Sequence, residues 1–185
     1  MKGIIVYKGR YGATRQYAQW LGAALKIEVW PASKLDADLL AGYDYFLIGS
    51  SVYIGKLEIK KWLKKNLPCF SDKKIFLFQV AGTPPVEKEK RQSYNDASIP
   101  KEITGNCGFY YLPGRMIMQK LSWKDRFMLK MGARLTRDPA EKKAMLTDYD
   151  DVARENLNGL IAAVQKYAGI PVPAHSLMPA GTTML

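Results

Sequence analysis

Lys8, Gly9, Arg10, Tyr11, Gly12, Ala13 and Thr14 stand between a short apolar run and a helix-like pattern. Those residue types suit an anion. Glycines let backbone N–H groups turn inward, and a following helix adds unpaired donors and the positive end of its dipole. Thr14 brings a hydroxyl; Lys8 and Arg10 bring charge. The segment lacks the lysine-serine ending of nucleotide triphosphatases and the G-x-G-x-x-G spacing of dinucleotide sites. The plain alternative is a tight strand-to-helix turn with no ligand.

Two more segments have binding chemistry. Ser50, Ser51, Val52, Tyr53, Ile54 and Gly55 follow an apolar run and offer a ring to stack on, with small groups beside it. A flat aromatic ligand needs that combination, although a surface loop with an incidental tyrosine has the same composition. Ala81, Gly82 and Thr83, followed by two prolines, form a third and weaker candidate, because prolines commonly end strands.

Strand-like and helix-like patterns alternate and would position these loops. Apolar runs at 4–7, 27–29, 45–49, 75–81 and 109–112 read as strands, and those at 45–49 and 75–81 are continuous, as in strands buried on both faces. Helical spacing marks 14–25 (Tyr17, Leu21, Leu25) and 59–65, with a short helix at 35–40. A closing helix is expected over 148–167, with Thr147 as its N-cap and Gly169 as its stop. The polar stretch 86–106 has room for one irregular helix, and 113–139 is a long insertion before the closing helix. This alternation predicts an α/β domain over 1–169, a parallel sheet covered on both faces, followed by a Pro-rich tail over 170–185. In such sheets ligands bind beyond the carboxyl ends of the strands, where the three candidate loops fall.

The 185 residues are 48% hydrophobic, an ordinary globular composition. The net charge of +11 asks for an anionic partner: a phosphorylated cofactor, an acidic protein, nucleic acid or a membrane surface. No leader sequence is expected, since the first apolar run is short and lacks a basic start. No stretch approaches the roughly 20 apolar residues of a spanning helix. Cys69 and Cys107 read as reduced core thiols of a cytoplasmic protein. The one histidine, His175, lies in the tail, so no histidine-based metal site or triad is expected.

Taken together, "YKGRYGAT", "IGSSVYIGKLEIKKWLKKN" and "FQVAGTPP" fall where flavodoxins carry their phosphate loop, an aromatic-bearing loop and a further flavin loop. The chain resembles the flavodoxin-like FMN-binding proteins over nearly its whole length. The resemblance implies a flavodoxin-like three-layer sandwich, with a five-stranded parallel sheet in the order 2-1-3-4-5, and FMN at its carboxyl edge. The cofactor would touch residues 8–14, 50–55 and 81–83. "GFYYLPGRMIMQKLSWKDRFMLKMGARLTRD" and the later Thr147-Asp148 are similar to the menaquinone-dependent protoporphyrinogen dehydrogenases. That branch implies an FMN oxidoreductase that oxidises a porphyrinogen and passes electrons to a quinone. It has hydroxyl residues where this chain has Lys8 and Gly9, and often an arginine where Tyr53 stands. The chemistry would belong to the flavin, and no catalytic acid, base or metal is required.

Within the insertion, Ser122 and Asp125 form a capping-box-like helix start. Phe127, Met131 and Leu135 make an apolar stripe, and Arg126, Lys130, Arg134 and Arg137 a basic one alongside. Such a helix can lie on an anionic membrane. It can equally be a surface helix with a core-facing stripe, or dock an acidic protein. Arg115 and Trp123 flank it near the expected flavin edge and are candidates for a substrate or partner contact. Three functions follow: the FMN oxidoreductase, working at a membrane's inner face; a soluble flavodoxin electron carrier; or a flavin-free interaction protein on the same fold. A redox partner protein or quinone is the expected partner, nucleic acid is not, and a homodimer is left open.

Overall fold

The computed structural model describes residues 1–170 of the chain, apart from the side chains of residues 140 and 141. Of the tail, 171–185, including His175, lies outside the described residues. Its centre is set by three short runs of apolar residues. Ile4, Ile5 and Val6 of β1 (Gly3–Lys8), Phe46, Leu47 and Ile48 of β3 (Tyr45–Tyr53), and Ile75 to Val80 of β5 (Lys74–Ala81) are buried. Because side chains alternate across a strand, both faces of these strands need cover.

One face carries Ile4, Phe46, Ile48, Ile75 and Leu77. It packs on Trp62 and Leu63 of α3 (Lys60–Lys65), Leu40 of α2 (Ala37–Ala41), Phe70, and Ile103 of α5 (Lys101–Thr104). The other carries Ile5, Leu47, Phe76, Phe78 and Val80. It packs on Tyr17, Ala18, Leu21 and Leu25 of α1 (Ala13–Leu25) and on Leu160 and Val164 of α8 (Asn158–Ala168). The result is the expected three-layer α/β sandwich.

With β2 (Glu28–Pro31) and β6 (Cys107–Pro113), the parallel strands run in the order β2-β1-β3-β5-β6, the order expected from the resemblance. A sixth strand joins the sheet: β4 (Lys56–Leu57) folds back antiparallel onto the end of β3. Val52 pairs with Leu57 and Tyr53 with Lys56, so the hairpin turns on Ile54 and Gly55. Both have positive φ, 47° and 69°, the type I′ geometry that suits sheet twist.

The stretch 86–106 holds two helices rather than one, α4 (Lys88–Asp96) and α5, broken by Pro100. The insertion runs past the expected 139, to Asp150, and contains β7 (Arg115–Met116), α6 (Trp123–Leu135), α7 (Pro139–Leu146) and β8 (Tyr149–Asp150). The closing helix is shorter than expected. It begins at Asn158, and Thr147 does not cap it; the Thr147 hydroxyl donates to Lys143 O at 2.8 Å and closes α7 instead. The reason is β8, whose Asp150 pairs with Arg115 and Tyr149 with Met116 of β7, holding that backbone extended. Gly169 does stop the helix, at φ 65°. Cys69 and Cys107 are free and partly buried, and burial raises the Cys107 thiol to about 11.

Gly49 shows how tightly the layers meet, since a methyl group built on it would overlap the Phe78 ring. Gly49→Ala is expected to cost about 1–3 kcal/mol through overpacking, read as a lower urea midpoint with an unchanged slope.

Candidate functional site

Strand order reverses between β1 and β3, and a cavity of about 340 Å³ opens beyond their carboxyl ends. Three parts of the sheet edge reach it: Arg10 to Thr14 after β1, Ser51 to Ile54 at the end of β3, and Val80 to Gly82 at the end of β5. The insertion supplies the facing wall through Met116, Leu121, Asp125, Met128, Leu129 and Met145.

At the amino end of α1, Gly12 sits at φ 89° and gives no side-chain cap. The first amides of the helix are therefore left for another acceptor. Thr14 is buried, lines the cavity, and its hydroxyl has no protein partner among the described residues. Gly9 has its own reason: a Cβ there would stand 2.6 Å from Thr14 Oγ1, so the threonine hydroxyl uses the space that a side chain at 9 would take.

One carboxylate organises the rest. Asp125 accepts hydrogen bonds from the Tyr11 hydroxyl and, at 2.7 Å, from the Tyr53 hydroxyl. Ser122 caps α6 by accepting from Asp125 N at 3.2 Å, the cap read from the sequence. Arg10 lies with its guanidinium 3.7 Å from the Tyr53 ring centre, donates to Glu58 at 2.6 Å, and comes within 3.8 Å of Asp125. Glu58 also accepts from Ser51 Oγ at 2.5 Å. Burial pushes the Asp125 carboxyl upward, but the hydrogen bonds from Tyr11, Tyr53 and Ser122 and the charge of Arg10 outweigh it, leaving the group below the usual carboxylate range. The hydrogen bond to Asp125, with burial, raises the Tyr53 phenol.

The residues expected to contact a cofactor divide. Arg10, Tyr11, Ala13, Thr14, Ser51, Val52, Tyr53, Ile54, Ala81 and Gly82 line the cavity. Lys8 does not; with Gly9 it lines a separate hollow beside Pro31 and Trp62. The Ser50 hydroxyl is buried, donating to Ser51 O and accepting from Ile59 N. Gly55 serves the hairpin turn. Thr83 meets Tyr94 at 3.2 Å and lines a neighbouring cavity.

Arg115 reaches the main cavity but is already paired with Asp150 at 2.6 Å and Gln16 at 3.0 Å. Trp123, Arg126, Lys130 and Arg134 are exposed on α6, outside the cavity. Sequence reasoning missed Glu58, Tyr149 and the cavity role of Asp125. For the hairpin the sequence offers no signal, because Ile54 is β-branched and yet sits at φ 47°, a strained conformation of the kind that gathers at functional sites.

The fold is that of a flavodoxin-like α/β protein with a cavity at the topological switch point. The sequence profile of the flavodoxin domain family matches residues 4–143, and the chain belongs to that family. Family membership indicates FMN as the cofactor. The chain is 32% identical over 121 residues to the uncharacterized protein MJ0298 of Methanocaldococcus jannaschii, covering 62% of this chain and 79% of that one. It is 22% identical over 165 residues to protoporphyrinogen IX dehydrogenase [quinone] of Escherichia coli, covering 83% of this chain and 91% of the relative. Among solved structures, the flavodoxin of Megasphaera elsdenii superposes with a TM-score of 0.44 at 21% identity, covering 60% of this chain and 83% of that one.

The residues present fit FMN. Uncapped helix amides and the Thr14 hydroxyl suit a phosphate, and the largely apolar cavity beside Tyr53 suits a flat ring.

Replacing Asp125 by Asn should lower stability by about 1.5–3 kcal/mol at neutral pH, the usual cost of losing a charged hydrogen bond. Its native pKa is depressed, so its stabilisation is present above the unfolded value near 4 and fades as pH falls through the lower native value. Urea midpoints of wild type and Asp125→Asn should therefore converge in acid.

Proposed function

We propose that the chain is an FMN-dependent oxidoreductase of the protoporphyrinogen-oxidising, quinone-reducing type. One observation carries this reading: the insertion builds a second, apolar wall over the flavin site. Leu121, Met128, Leu129 and Met145 face the loops that would hold the cofactor. An electron carrier needs its ring edge open to a protein partner and gains nothing from such a wall. A bulky apolar substrate needs a wall that excludes water while it lies against the cofactor.

FMN, when bound, supplies reversible transfer of electrons or hydride. The chain's own residues do the rest. The amino end of α1, with Thr14 and the charge of Arg10, would hold the phosphate. Tyr53 and the Ala81–Gly82 segment would flank the ring. Asp125 holds Tyr11 and Tyr53 in place. Distant likeness to a protoporphyrinogen IX dehydrogenase supports the substrate class.

The expected outcome is a yellow protein whose flavin is reduced anaerobically by protoporphyrinogen IX and reoxidised by a menaquinone analogue. A chain that binds FMN yet is not reduced by protoporphyrinogen would end the substrate assignment.

The same reading gives α6 a membrane role. Its apolar stripe does not face the core, as one expectation had it. Trp123, Phe127, Met131 and Leu135 recur every four residues and are exposed, Leu135 at 78% and Trp123 at 71%. Lys124, Arg126, Lys130 and Arg134 are exposed on the same helix. No helix among the described residues is long and apolar enough to cross a membrane. An interfacial helix would bring the cavity to a lipid-dissolved quinone, each cation adding about 1 kcal/mol at an anionic surface. Phe127→Glu with Met131→Glu should abolish co-sedimentation with phosphatidylglycerol vesicles while leaving FMN uptake intact; unchanged sedimentation would remove the membrane role.

A further inference from the structure

Three tyrosines line the main cavity, and two of their hydroxyls are committed: Tyr11 and Tyr53 both donate to Asp125. Tyr149 is different. Its hydroxyl has no hydrogen-bond partner among the described residues. The oxygen lies directly against Gly82, where even a methyl group would overlap it. Gly82 thus makes room for the Tyr149 hydroxyl, within one of the segments expected to flank the flavin ring.

The placement is firm. Tyr149 pairs with Met116 in the β7–β8 ribbon. The ribbon is pinned by the Arg115–Asp150 ion pair at 2.6 Å and by Asp151 N donating to Gly114 O at 3.1 Å. Burial, with a smaller contribution from the Asp151 charge, raises the phenol above its ordinary value near 10. The group therefore stays an O–H donor throughout the neutral range. Arg115 does not drive it the other way, being paired with Asp150 and Gln16.

We propose that the Tyr149 hydroxyl donates a hydrogen bond to an acceptor atom of the FMN ring beside Gly82, and so favours the reduced cofactor over the oxidised one. This rests on the assignment of FMN to the cavity but not on the porphyrinogen reading. Reduction adds electron density to the ring's acceptor atoms, and a hydrogen bond to a charged acceptor is roughly twice as strong as one to a neutral acceptor. A donor placed there strengthens on reduction. Its place against Gly82, in a cavity whose other tyrosine hydroxyls are spent on Asp125, makes it the tyrosine able to do this.

Tyr149→Phe keeps the ring packing and removes only the donor. Binding constants for oxidised FMN, by fluorescence quenching, and midpoint potentials, by anaerobic dye equilibration, are compared with wild type. The expected result is a ratio of reduced to oxidised FMN affinity about tenfold lower, which is about 30 mV for a two-electron couple. The difference should hold from about pH 6 to about pH 9, where the phenol stays protonated. Gly82→Ala, which displaces the hydroxyl but keeps the tyrosine, should shift the potential in the same direction. A wild-type chain that binds FMN while Tyr149→Phe shows the same potential overturns the role of Tyr149 and leaves the cofactor assignment standing. A wild-type chain that takes up no FMN overturns both.

Discussion

The contact on which the site depends is the one between Asp125 and the two tyrosines of the sheet edge. Tyr11 follows β1, Tyr53 ends β3, and Asp125 sits in the first turn of α6. A buried carboxylate without partners would be costly. Here two phenols and Arg10 satisfy it, while its backbone N–H donates to the Ser122 cap, and together these contacts seat α6. From that seat Leu121, Met128 and Leu129 reach the cavity. The hydrogen bonds that dock the insertion are thus made with the same loops expected to hold the cofactor. Anything that reorganises those loops changes the wall, and anything that moves the wall changes the loops.

Charge is arranged in keeping with this. The chain has a net charge of +11, yet the charged groups at the cavity are largely paired: Arg10 with Glu58 and Asp125, Arg115 with Asp150. The excess of cations lies outside it, on α3 (Lys61, Lys64, Lys65) and on the exposed side of α6. An interior lined by paired charges and methionines accepts an apolar ligand without stranding an ion. These cations lie on solvent-facing surfaces, where they keep their hydration.

The sheet was legible because its strands are apolar on both faces; runs such as Tyr45 to Ile48 and Ile75 to Val80 have few other uses in a chain of this size. The ligand edge was legible because hydroxyls, glycines and an aromatic follow those runs. The hairpin at Ile54–Gly55 was not, since a β-branched residue argues against the positive φ that the turn requires. Thr147-Asp148 read as a helix start because local pattern cannot register that residues 115–116 hold 149–150 extended. Asp125 was read only as a helix cap, for its partners lie 114 and 72 residues away. Lys8 reads as a charge for the anion because it stands in the same loop as Arg10, yet it ends β1 and lines the separate hollow with Pro31 and Trp62.

Two glycines of the expected cofactor loops acquire a meaning that spacing alone does not provide. Gly9 stands where the family resemblance leads one to expect a hydroxyl. In the folded chain a side chain there would collide with Thr14 Oγ1, so the space beside Gly9 belongs to the threonine hydroxyl in the first turn of the helix. Gly82, which lines the cavity, has the same logic, leaving room for the hydroxyl of Tyr149, a residue 67 positions later in the chain. In each case the absence of a Cβ matters for what a neighbour places in the gap. Two hydroxyls without a protein partner among the described residues thus line the cavity, Thr14 beside the uncapped helix and Tyr149 beside Gly82. A molecule with a phosphate at one end and an acceptor-rich ring at the other satisfies both, which a plain strand-to-helix turn would leave unused.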